Sequence, residues 1–390
     1  MPSIEQHNQR RGRWVSRRQI LSAGVACLSL LLEGAASAEE EKPPRPRFRL
    51  AWGRRGKENG EFSANVGLAI GKDDVIYTSE FRNQRVQKFT TEGKFLGTFP
   101  LPTNPGGLAV DPKGNVYVGF WNAHKVAAYS PEGKLLREWG KKGTGDGEFQ
   151  LPGSVAFGPD GLLYVPDQGN SRVQKFAPDG KFVGQFGGHG SRPGQFGGSQ
   201  PAGGRFAGPQ FVAFDRAGNV YTTDAGLNRV QKFTPEGRLL AHWGSAGADP
   251  GGFGPPPLDK NGKPMTGGPI GICVDRKDRV WVSATNHRVQ LFTNAGKYLC
   301  GLGLDGAGKE AGQFRTPHAL ALDSRGCLYV ADVMNSRVQK FALTASEHDA
   351  GLRCMASWTS FADKSSGSTT LLGLGCDQRK SANKHHLFPS

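Results

Sequence analysis

Short apolar runs separated by polar turns recur along the chain, and they predict β-strands. Residues 151–187 show one complete unit, in which four runs rich in Val, Phe, Leu and Tyr follow one another: SVAF, LLYV, RVQKF and KFVGQF. The segments GPDG and APDGK separate the first pair and the last pair, and glycine, proline and aspartate are the residues that tight turns require. The pattern predicts a four-stranded antiparallel meander, and no helical periodicity competes with it.

The run RVQKF is the marker of a repeat. Four copies are identical, RVQLF (288–292) is a near copy and KVAAY (125–129) is a degenerate one, at intervals of 40–59 residues. Such self-similarity is typical of repeat architectures, in which each unit buries its faces against its neighbours. Six four-stranded units packed around an axis predict an all-β, six-bladed β-propeller over residues 48–343.

The last unit lacks an outer strand of its own. Earlier units end in segments such as KLLREWG (134–140) and RLLAHWG (238–244), but nothing comparable follows Phe341. A matching segment, FRLAWG (48–53), stands at the start of the repeat region instead. We therefore predict that this N-terminal strand pairs with the last blade and closes the ring, which also removes exposed sheet edges.

The consensus of the repeat resembles that of the NHL family. The shared features are a G-x-F-x-x-P opening, then D-x-x-G-N-V-Y-V, D-x-x-N-x-R-V-Q-K-F and G-K-F-L, closed by an aromatic residue and glycine. The second blade departs most, since Phe120 replaces the acidic residue and Ala127 and Ala128 replace Gln and Lys. The resemblance implies a six-bladed ring.

The two ends of the chain lie outside the repeat. Residues 1–38 place paired arginines before a short apolar run and end in ASA, which predicts an export signal that resembles the twin-arginine type and is cleaved after Ala38. Residues 39–47 read as a charged, proline-rich linker, and 344–390 as a low-complexity, disordered tail. We expect a periplasmic or extracellular protein with no transmembrane segment after cleavage.

The net charge of +15 invites a nucleic-acid interpretation, which the distribution of charge weakens. Residues 39–343 contain 39 basic and 28 acidic side chains, and many of the basic ones recur at the same repeat positions. A recurring charge most simply serves the blade, and Arg172 is expected to pair either with Asp167 of its own loop or with the neighbouring blade. We therefore expect a monomer whose partner is an extracytoplasmic protein, a peptide or an anionic glycan, with nucleic acid as a less favoured third class.

Six positions just before the inner strands are predicted to surround the mouth of the central channel. They are Val66, Gly106, Gly153, Gln210, Ile270 and His318. The repeats also resemble the propeller of peptidyl-hydroxyglycine amidating lyase, and this resemblance implies three zinc-binding histidines at mouth positions. Only His318 is present here, so it is a weak metal candidate, and a catalytic zinc site needs about three protein ligands. Lactonase-type propellers use carboxylates at the axis, and no mouth position is acidic.

Four recurring acidic residues and five cysteines are the remaining candidates for metal binding and disulfide formation. The recurring acids Glu80, Asp167, Asp224 and Asp332 either cap loops or form a calcium ring, and we favour capping. We expect no cofactor, with Ca or Zn as the alternatives. The cysteines outside the signal are odd in number, and the sequence does not determine their pairing: Cys273, Cys300, Cys327, Cys354 and Cys376.

Two long connections, 187–208 and 245–269, are predicted to lie on the same face as the mouth, where loops on a rigid scaffold carry function. The candidate ligand-binding residues are Gln210, His318, His189, Arg192 and Arg205. The leading hypothesis is a non-enzymatic binding or scaffold module. The alternative is a metal-dependent lyase or a lactonase-type hydrolase.

Overall fold

The computed structural model describes residues 43–197, 208–254 and 267–344, and in them the predicted six-bladed all-β propeller is confirmed. Each blade is a four-stranded antiparallel sheet, numbered here in chain order. Blade 1 contains β2 (Asn65–Ile70), β3 (Ile76–Glu80), β4 (Arg85–Phe89) and β5 (Phe95–Pro100). Blade 2 contains β6 (Leu108–Val110), β7 (Val116–Phe120), β8 (Lys125–Tyr129) and β9 (Leu135–Trp139). Blade 3 contains β10 (Ala156–Phe157), β11 (Leu163–Asp167), β12 (Arg172–Phe176) and β13 (Phe182–Gly187).

The second half of the ring repeats the same order. The connection into blade 4 contains a parallel pair, β14 (His189–Gly190) and β15 (Phe196–Gly197). Blade 4 contains β16 (Pro209–Phe214), β17 (Val220–Asp224), β18 (Arg229–Phe233) and β19 (Leu239–Trp243). Blade 5 contains β20 (Pro269–Val274), β21 (Val280–Ala284), β22 (Arg288–Phe292) and β23 (Tyr298–Leu302). Blade 6 contains β24 (Pro317–Leu322), β25 (Leu328–Asp332), β26 (Arg337–Thr344) and β1 (Arg45–Trp52).

The N-terminal strand closes the ring as predicted. β1 pairs antiparallel with β26, from Arg45 opposite Thr344 to Trp52 opposite Val338. The strand begins three residues before the predicted start at Phe48 and so takes in part of the segment read as a linker. Pro46 is compatible with this position because β1 is the outer strand of its blade, where a missing N–H need not face a partner strand.

The hydrophobic core consists of six clusters, one between each pair of neighbouring blades. The cluster between blades 6 and 1 contains Phe62, Phe89, Tyr329 and Val338, each at most 1% exposed. Trp52 of β1 packs against this cluster, with its ring centroid 5.9 Å from that of Phe89 and 6.2 Å from that of Tyr329. Because the first and last blades share a core, the ring is closed by side chains as well as by strand pairing.

Regular helix is limited to single 3-10 turns in the described residues: Lys72–Asp74, Gln168–Asn170, Ala225–Leu227 and Val333–Asn335. The last three lie in the loop between the second and third strands of a blade. Both this loop and the connection between blades leave the sheet on one side of the ring, which we call the connection face. None of the helical turns in the described residues is long and apolar enough to cross a membrane.

Three cysteines lie in the described residues. Cys273 lies in β20, Cys300 in β23 and Cys327 directly before β25, and none of the three is in a disulfide. Burial raises the pKa of the Cys300 thiol to about 11. Cys354 and Cys376 lie outside the described residues.

Candidate functional site

Four blades carry the same buried ion pair behind the connection face. The carboxylates of Glu80, Asp167, Asp224 and Asp332 close the second strands and are fully buried. Each accepts a hydrogen bond from Nε of the arginine that begins the third strand of its own blade. The distances are 2.6 Å for Arg85, 2.9 Å for Arg172, 3.1 Å for Arg229 and 2.8 Å for Arg337. The predicted pairing of Arg172 with Asp167 is therefore confirmed, and these carboxylates serve separate blades.

The same arginines hold the connections that enter their blades. In blade 3, Nη2 of Arg172 donates to the carbonyl oxygens of Gly145 (2.7 Å) and Glu148 (2.8 Å). Nε2 of Gln174 donates to the Glu148 carbonyl (2.7 Å) and to Asp167 (3.1 Å). The motif R-V-Q thus joins the acid of a blade to the incoming connection, which explains why it recurs.

The lysine of the motif links neighbouring blades. Nζ of Lys88 donates to the Pro131 carbonyl (3.0 Å), that of Lys175 to the Pro235 carbonyl (3.0 Å), and that of Lys340 to the Thr91 carbonyl (2.9 Å). Lys232 instead pairs with Asp215 (3.1 Å). The arginines and lysines of the R-V-Q-K-F motif are therefore engaged within the scaffold.

Asp224 has two hydrogen-bond partners fewer than its equivalents. The side chains of Gln87, Gln174 and Gln339 donate to the acids of their blades, whereas that of Gln231 donates to the Gln195 carbonyl instead. Asn83, Asn170 and Asn335 donate to the acids of their blades at 2.7–2.8 Å, but Leu227 stands at this position in blade 4. Burial raises the pKa of Asp224 to about 6, against the opposing effect of the Gly197 N–H and Arg229.

Replacing Leu227 with asparagine is expected to supply one of the two missing hydrogen bonds to Asp224. The gain should be about 0.5–1.5 kcal/mol in the free energy of unfolding at pH 7, the net value of one hydrogen bond. Chemical denaturation measures it, and Leu227→Ala is the control that removes leucine without adding a donor. Equal stabilities of the two variants would contradict the expectation.

One large side chain, that of Phe211 in blade 4, crosses the channel next to its mouth. Its ring makes an edge contact with His318 of blade 6 at a centroid distance of 5.4 Å. A methyl group built on Gly107 of blade 2 would lie 3.2 Å from Cε1 of Phe211. Blades 2, 4 and 6 are not neighbours, so a ring that reaches the other two lies across the axis.

The other blades leave room for that ring. The residues equivalent to Phe211 are small: Gly67, Gly107, Ser154, Gly271 and Ala319. The sequence contained this signal, because FVAF is the only inner run with an aromatic residue at this position. We did not identify it, because a single exception in a repeat does not show which way its side chain points.

Hydrogen bonds between blades fix the backbone of the mouth. Ser79 Oγ donates to the Gly106 carbonyl (2.6 Å), Thr223 Oγ1 to the Ile270 carbonyl (2.6 Å), and Ser283 Oγ to the carbonyl of His318. The N–H of Gly107 donates to the Gly153 carbonyl (2.8 Å). The mouth is therefore a rigid rim.

His318 is held in one tautomer by this rim. Its Nδ1 donates to the Val66 carbonyl across the junction of blades 6 and 1 (2.7 Å), so the proton lies on Nδ1 and Nε2 keeps its lone pair. Burial lowers the pKa of His318 to about 4, so the imidazole is neutral at pH 7.

The depressed pKa of His318 predicts a loss of stability in acid. An unfolded imidazole takes up its proton near pH 6.5, whereas the folded one stays neutral down to about pH 4. The stabilisation is therefore complete above pH 6.5 and is lost as the pH falls towards 4. Relative to His318→Gln, which keeps a donor for Val66, the wild type should lose about 2–3 kcal/mol over this window. Denaturation curves at each pH measure this difference, and parallel profiles would contradict it.

The remaining predicted site residues lie in different environments. Gln210 is 1% exposed and its Nε2 donates to the Gly208 carbonyl (2.8 Å), so this amide holds its own connection. His189 and Arg192 are exposed on the connection into blade 4, where His189 Nδ1 lies 3.4 Å from Ser171 Oγ. Arg205 lies outside the described residues.

Two polar residues at the mouth were not identified from the sequence. Trp121 and Gln168 follow the second strands of blades 2 and 3, and the indole Nε1 donates to Gln168 Oε1 (3.2 Å). Both are less than a tenth exposed. Their position directly after the acidic position of the repeat was the available signal, but the sequence does not show that this loop leans over the rim.

The mouth does not fit the zinc site of the amidating lyase. Of the six mouth positions only His318 is a common metal ligand, and a catalytic zinc takes about three. The described residues contain no cluster of three or more His, Cys, Asp or Glu side chains. The four buried acids, moreover, are each paired with an arginine of their own blade.

Residues 314–341 match the NHL repeat family. Over 150 residues the chain is 33% identical to peptidylglycine alpha-amidating monooxygenase of Rattus norvegicus, a match that covers 36% of this chain and 14% of that protein. Among solved structures, a gluconolactonase from Xanthomonas campestris is similar, with a TM-score of 0.53 and 17% identity over 79% of this chain and 98% of that one. A protein of unknown function from Bacteroides thetaiotaomicron has a TM-score of 0.54 and 18% identity over 76% of each chain. At these identities the structural similarities show the fold alone.

Proposed function

Because this chain is a six-bladed propeller built from NHL-type repeats, we propose that it is an exported binding module whose ligand surface is the connection face. The observation that carries the proposal is the Phe211 ring, which crosses the channel beneath an uncharged mouth. The ring forms a floor, above which the mouth would receive part of a partner. The described part of the connection into blade 4 supplies exposed polar side chains beside it.

The chemistry of the recess favours a protein or peptide partner. The mouth positions carry no charged side chain, and His318 is neutral at pH 7. The arginines and lysines of the R-V-Q-K-F motif are engaged in the blades, which argues against their forming a surface for nucleic acid. Exposed His189 and Arg192 on the connection into blade 4 would contact acidic groups of the same partner. An anionic glycan fits the uncharged mouth less well.

Affinity capture from the cell-envelope fraction of the source organism tests this proposal. The immobilised protein is compared with a His189→Ala/Arg192→Ala variant, whose exposed side chains can be removed without loss of core contacts. Lys113→Ala is the matched control, because Lys113 is exposed in a turn on the opposite face. We expect a partner whose capture is weakened by the double variant and unchanged by the control. Equal capture by all three proteins would contradict binding at the connection face.

A metal-dependent lyase or lactonase-type hydrolase is the second candidate. One observation favours it: a histidine whose Nδ1 donates to a backbone carbonyl presents Nε2 as metal-ligating histidines do. Its further ligands would have to come from residues outside the described part of the chain. Metal analysis of the purified protein beside His318→Ala decides between the candidates. Stoichiometric metal that the variant loses would support the enzyme, and equal metal content would count against it.

The export signal is the basis of the proposed location. A fusion of residues 1–38 to a reporter that is active only outside the cytoplasm tests it, with Arg17→Lys/Arg18→Lys as the variant that blocks a twin-arginine signal. Export of the native signal and retention of the variant is the expected result. Equal export of both would indicate a general secretory signal.

A further inference from the structure

A cavity of about 430 Å³, open to solvent, lies on the surface where blade 4 joins blade 5, apart from the mouth. Its walls are the rings of Trp243, Phe292 and Tyr298 and the backbone of the connection 244–252. This connection belongs to a set of similar loops, and comparison within the set shows what is missing here.

Five connections share one turn, which ends on a glycine bonded to the glutamine of the following blade. The glycine N–H donates to that glutamine's Oε1 at 2.8–3.1 Å in every case: Gly60, Gly147, Gly194, Gly251 and Gly312. The next residue is Glu61, Glu148, Gln195 and Gln313 in four connections, and Gly252 in the one beside the cavity. The five connections therefore share this turn, and only the one beside the cavity has no side chain at the position after its last residue.

In the four other loops that side chain folds back into its own loop. Its terminal oxygen accepts a backbone N–H three residues earlier, at 3.0, 2.9, 3.2 and 3.3 Å: from Glu58, Gly145, Arg192 and Glu310. The equivalent donor beside the cavity is the N–H of Asp249. Within the described part of the chain, no side-chain oxygen is bonded to it.

The loop has partly rearranged around the missing side chain. The Gly247 carbonyl accepts the N–H of Gly254 (2.7 Å) and lies 2.5 Å from a Cβ built on Gly252. In three of the other loops the carbonyl of the equivalent glycine accepts a hydrogen bond from an asparagine Nδ2 and not from a backbone N–H: Gly56, Gly143 and Gly308. The loop thus has an uncapped donor and an adjoining cavity with aromatic walls.

We propose that this cavity binds a carboxamide, as presented by a small amide or by a glutamine side chain of a peptide. The amide oxygen of the ligand accepts a hydrogen bond from the N–H of Asp249. In the same way, the side-chain oxygens of Gln195 and Gln313 accept hydrogen bonds from the equivalent N–H groups in their own loops. Trp243 and Tyr298 cover the aliphatic part of the ligand. A carboxylate is disfavoured because the Asp249 side chain, itself an anion, lines the cavity and no basic side chain does.

The missing side chain is the feature that distinguishes this loop. The indole N–H of Trp243 has no acceptor within the described residues, but the same holds for Trp52 and Trp139 at equivalent positions. The proposal therefore depends on Gly252 and the cavity, and it is independent of the function proposed for the mouth.

Amide-resolved NMR titration of the whole protein tests the site, with propionamide and N-acetylglutamine methylamide as probes. We expect saturable shifts of the Asp249 amide and the Trp243 indole. Tighter binding of the glutamine derivative would identify a peptide side chain as the source, and equal binding would identify a small amide. Gly252→Gln supplies the side chain of the other loops, and its Cβ requires the Gly247 carbonyl, 2.5 Å away, to move. The variant should weaken either probe by at least about tenfold, the equivalent of one lost hydrogen bond.

Gln195→Gly is the matched variant, because it removes the side chain that accepts the Arg192 N–H in the equivalent loop before blade 4. We expect it to create a second saturable response, at the Arg192 amide, while the first is retained. Thermal unfolding confirms that both variants fold. The absence of saturable shifts in the wild type, or equal shifts in wild type and Gly252→Gln, would overturn the proposal.

Discussion

A chain that begins at Arg54, and so lacks β1, is expected to lose the single cooperative unfolding transition of the propeller. β1 supplies the fourth strand of blade 6 and pairs with β26 along its whole length. Its Trp52 packs on Phe89 and Tyr329, in the core between the last and first blades. Truncating a fully buried aromatic side chain costs about 3–5 kcal/mol, and the total stability of a domain is about 5–15 kcal/mol. Trp52 is partly buried, and its contacts are lost together with the pairing of the whole strand. Removal of the strand should therefore open the ring at this junction.

Calorimetry measures the effect, and a chain that begins at Pro43 is the control, because it keeps all of β1. The shortened chain should unfold in a broad transition at lower temperature and should aggregate, because the edge of β26 is then unpaired. A peptide of residues 43–53 added to it should restore much of the transition by strand addition. An unchanged melting curve for the chain that begins at Arg54 would show that β1 does not close the ring.

Replacing Arg172 with alanine is expected to lower the free energy of unfolding by about 3–5 kcal/mol, the usual cost of removing one partner from a buried ion pair. The Asp167 carboxylate is fully buried, burial already raises its pKa, and the loss of Arg172 removes the cation that stabilises its charge. The variant also removes the donors to the Gly145 and Glu148 carbonyls, so the connection into blade 3 loses its attachment.

Blade 2 offers the matched control for this experiment. Phe120 replaces the acid there, and Lys125, at the position of Arg172, pairs with the exposed carboxylate of Glu138 (2.7 Å). Lys125→Ala should cost less than about 1 kcal/mol, because exposed ion pairs contribute little. Urea denaturation compares the two variants at pH 7. A loss for Arg172→Ala no larger than that for Lys125→Ala would contradict a structural role for the buried pair.

The fold could be predicted from the sequence because every blade repeats the same pattern of strands and turns. Six copies of one motif, each with the same alternation of apolar and turn residues, specify the strands, their number and their order. The missing outer strand after Phe341 and the matching segment before Gly53 specified the closure, since a strand with an apolar face must find a partner sheet. The pairing of Arg172 with Asp167 followed in the same way, from a charge that recurs beside an acid that recurs.

The mouth and the cavity depended on the tertiary structure, because both arise where one blade differs from the others. Phe211 reads as one more apolar strand residue until the ring brings blades 2, 4 and 6 together at the axis, where only one large side chain fits. His318 was identified as a mouth residue, but the Val66 carbonyl that selects its tautomer lies on the opposite end of the repeat region. Gly252 occupies the position that Glu61 has in its own connection. Only the folded loop shows that the Glu61 side chain accepts a hydrogen bond from a backbone N–H, which Gly252 cannot do. The local sequence pattern specifies the features that all blades share. A binding site forms where one blade departs from the repeat, and the effect of such a departure depends on residues that are distant in the chain.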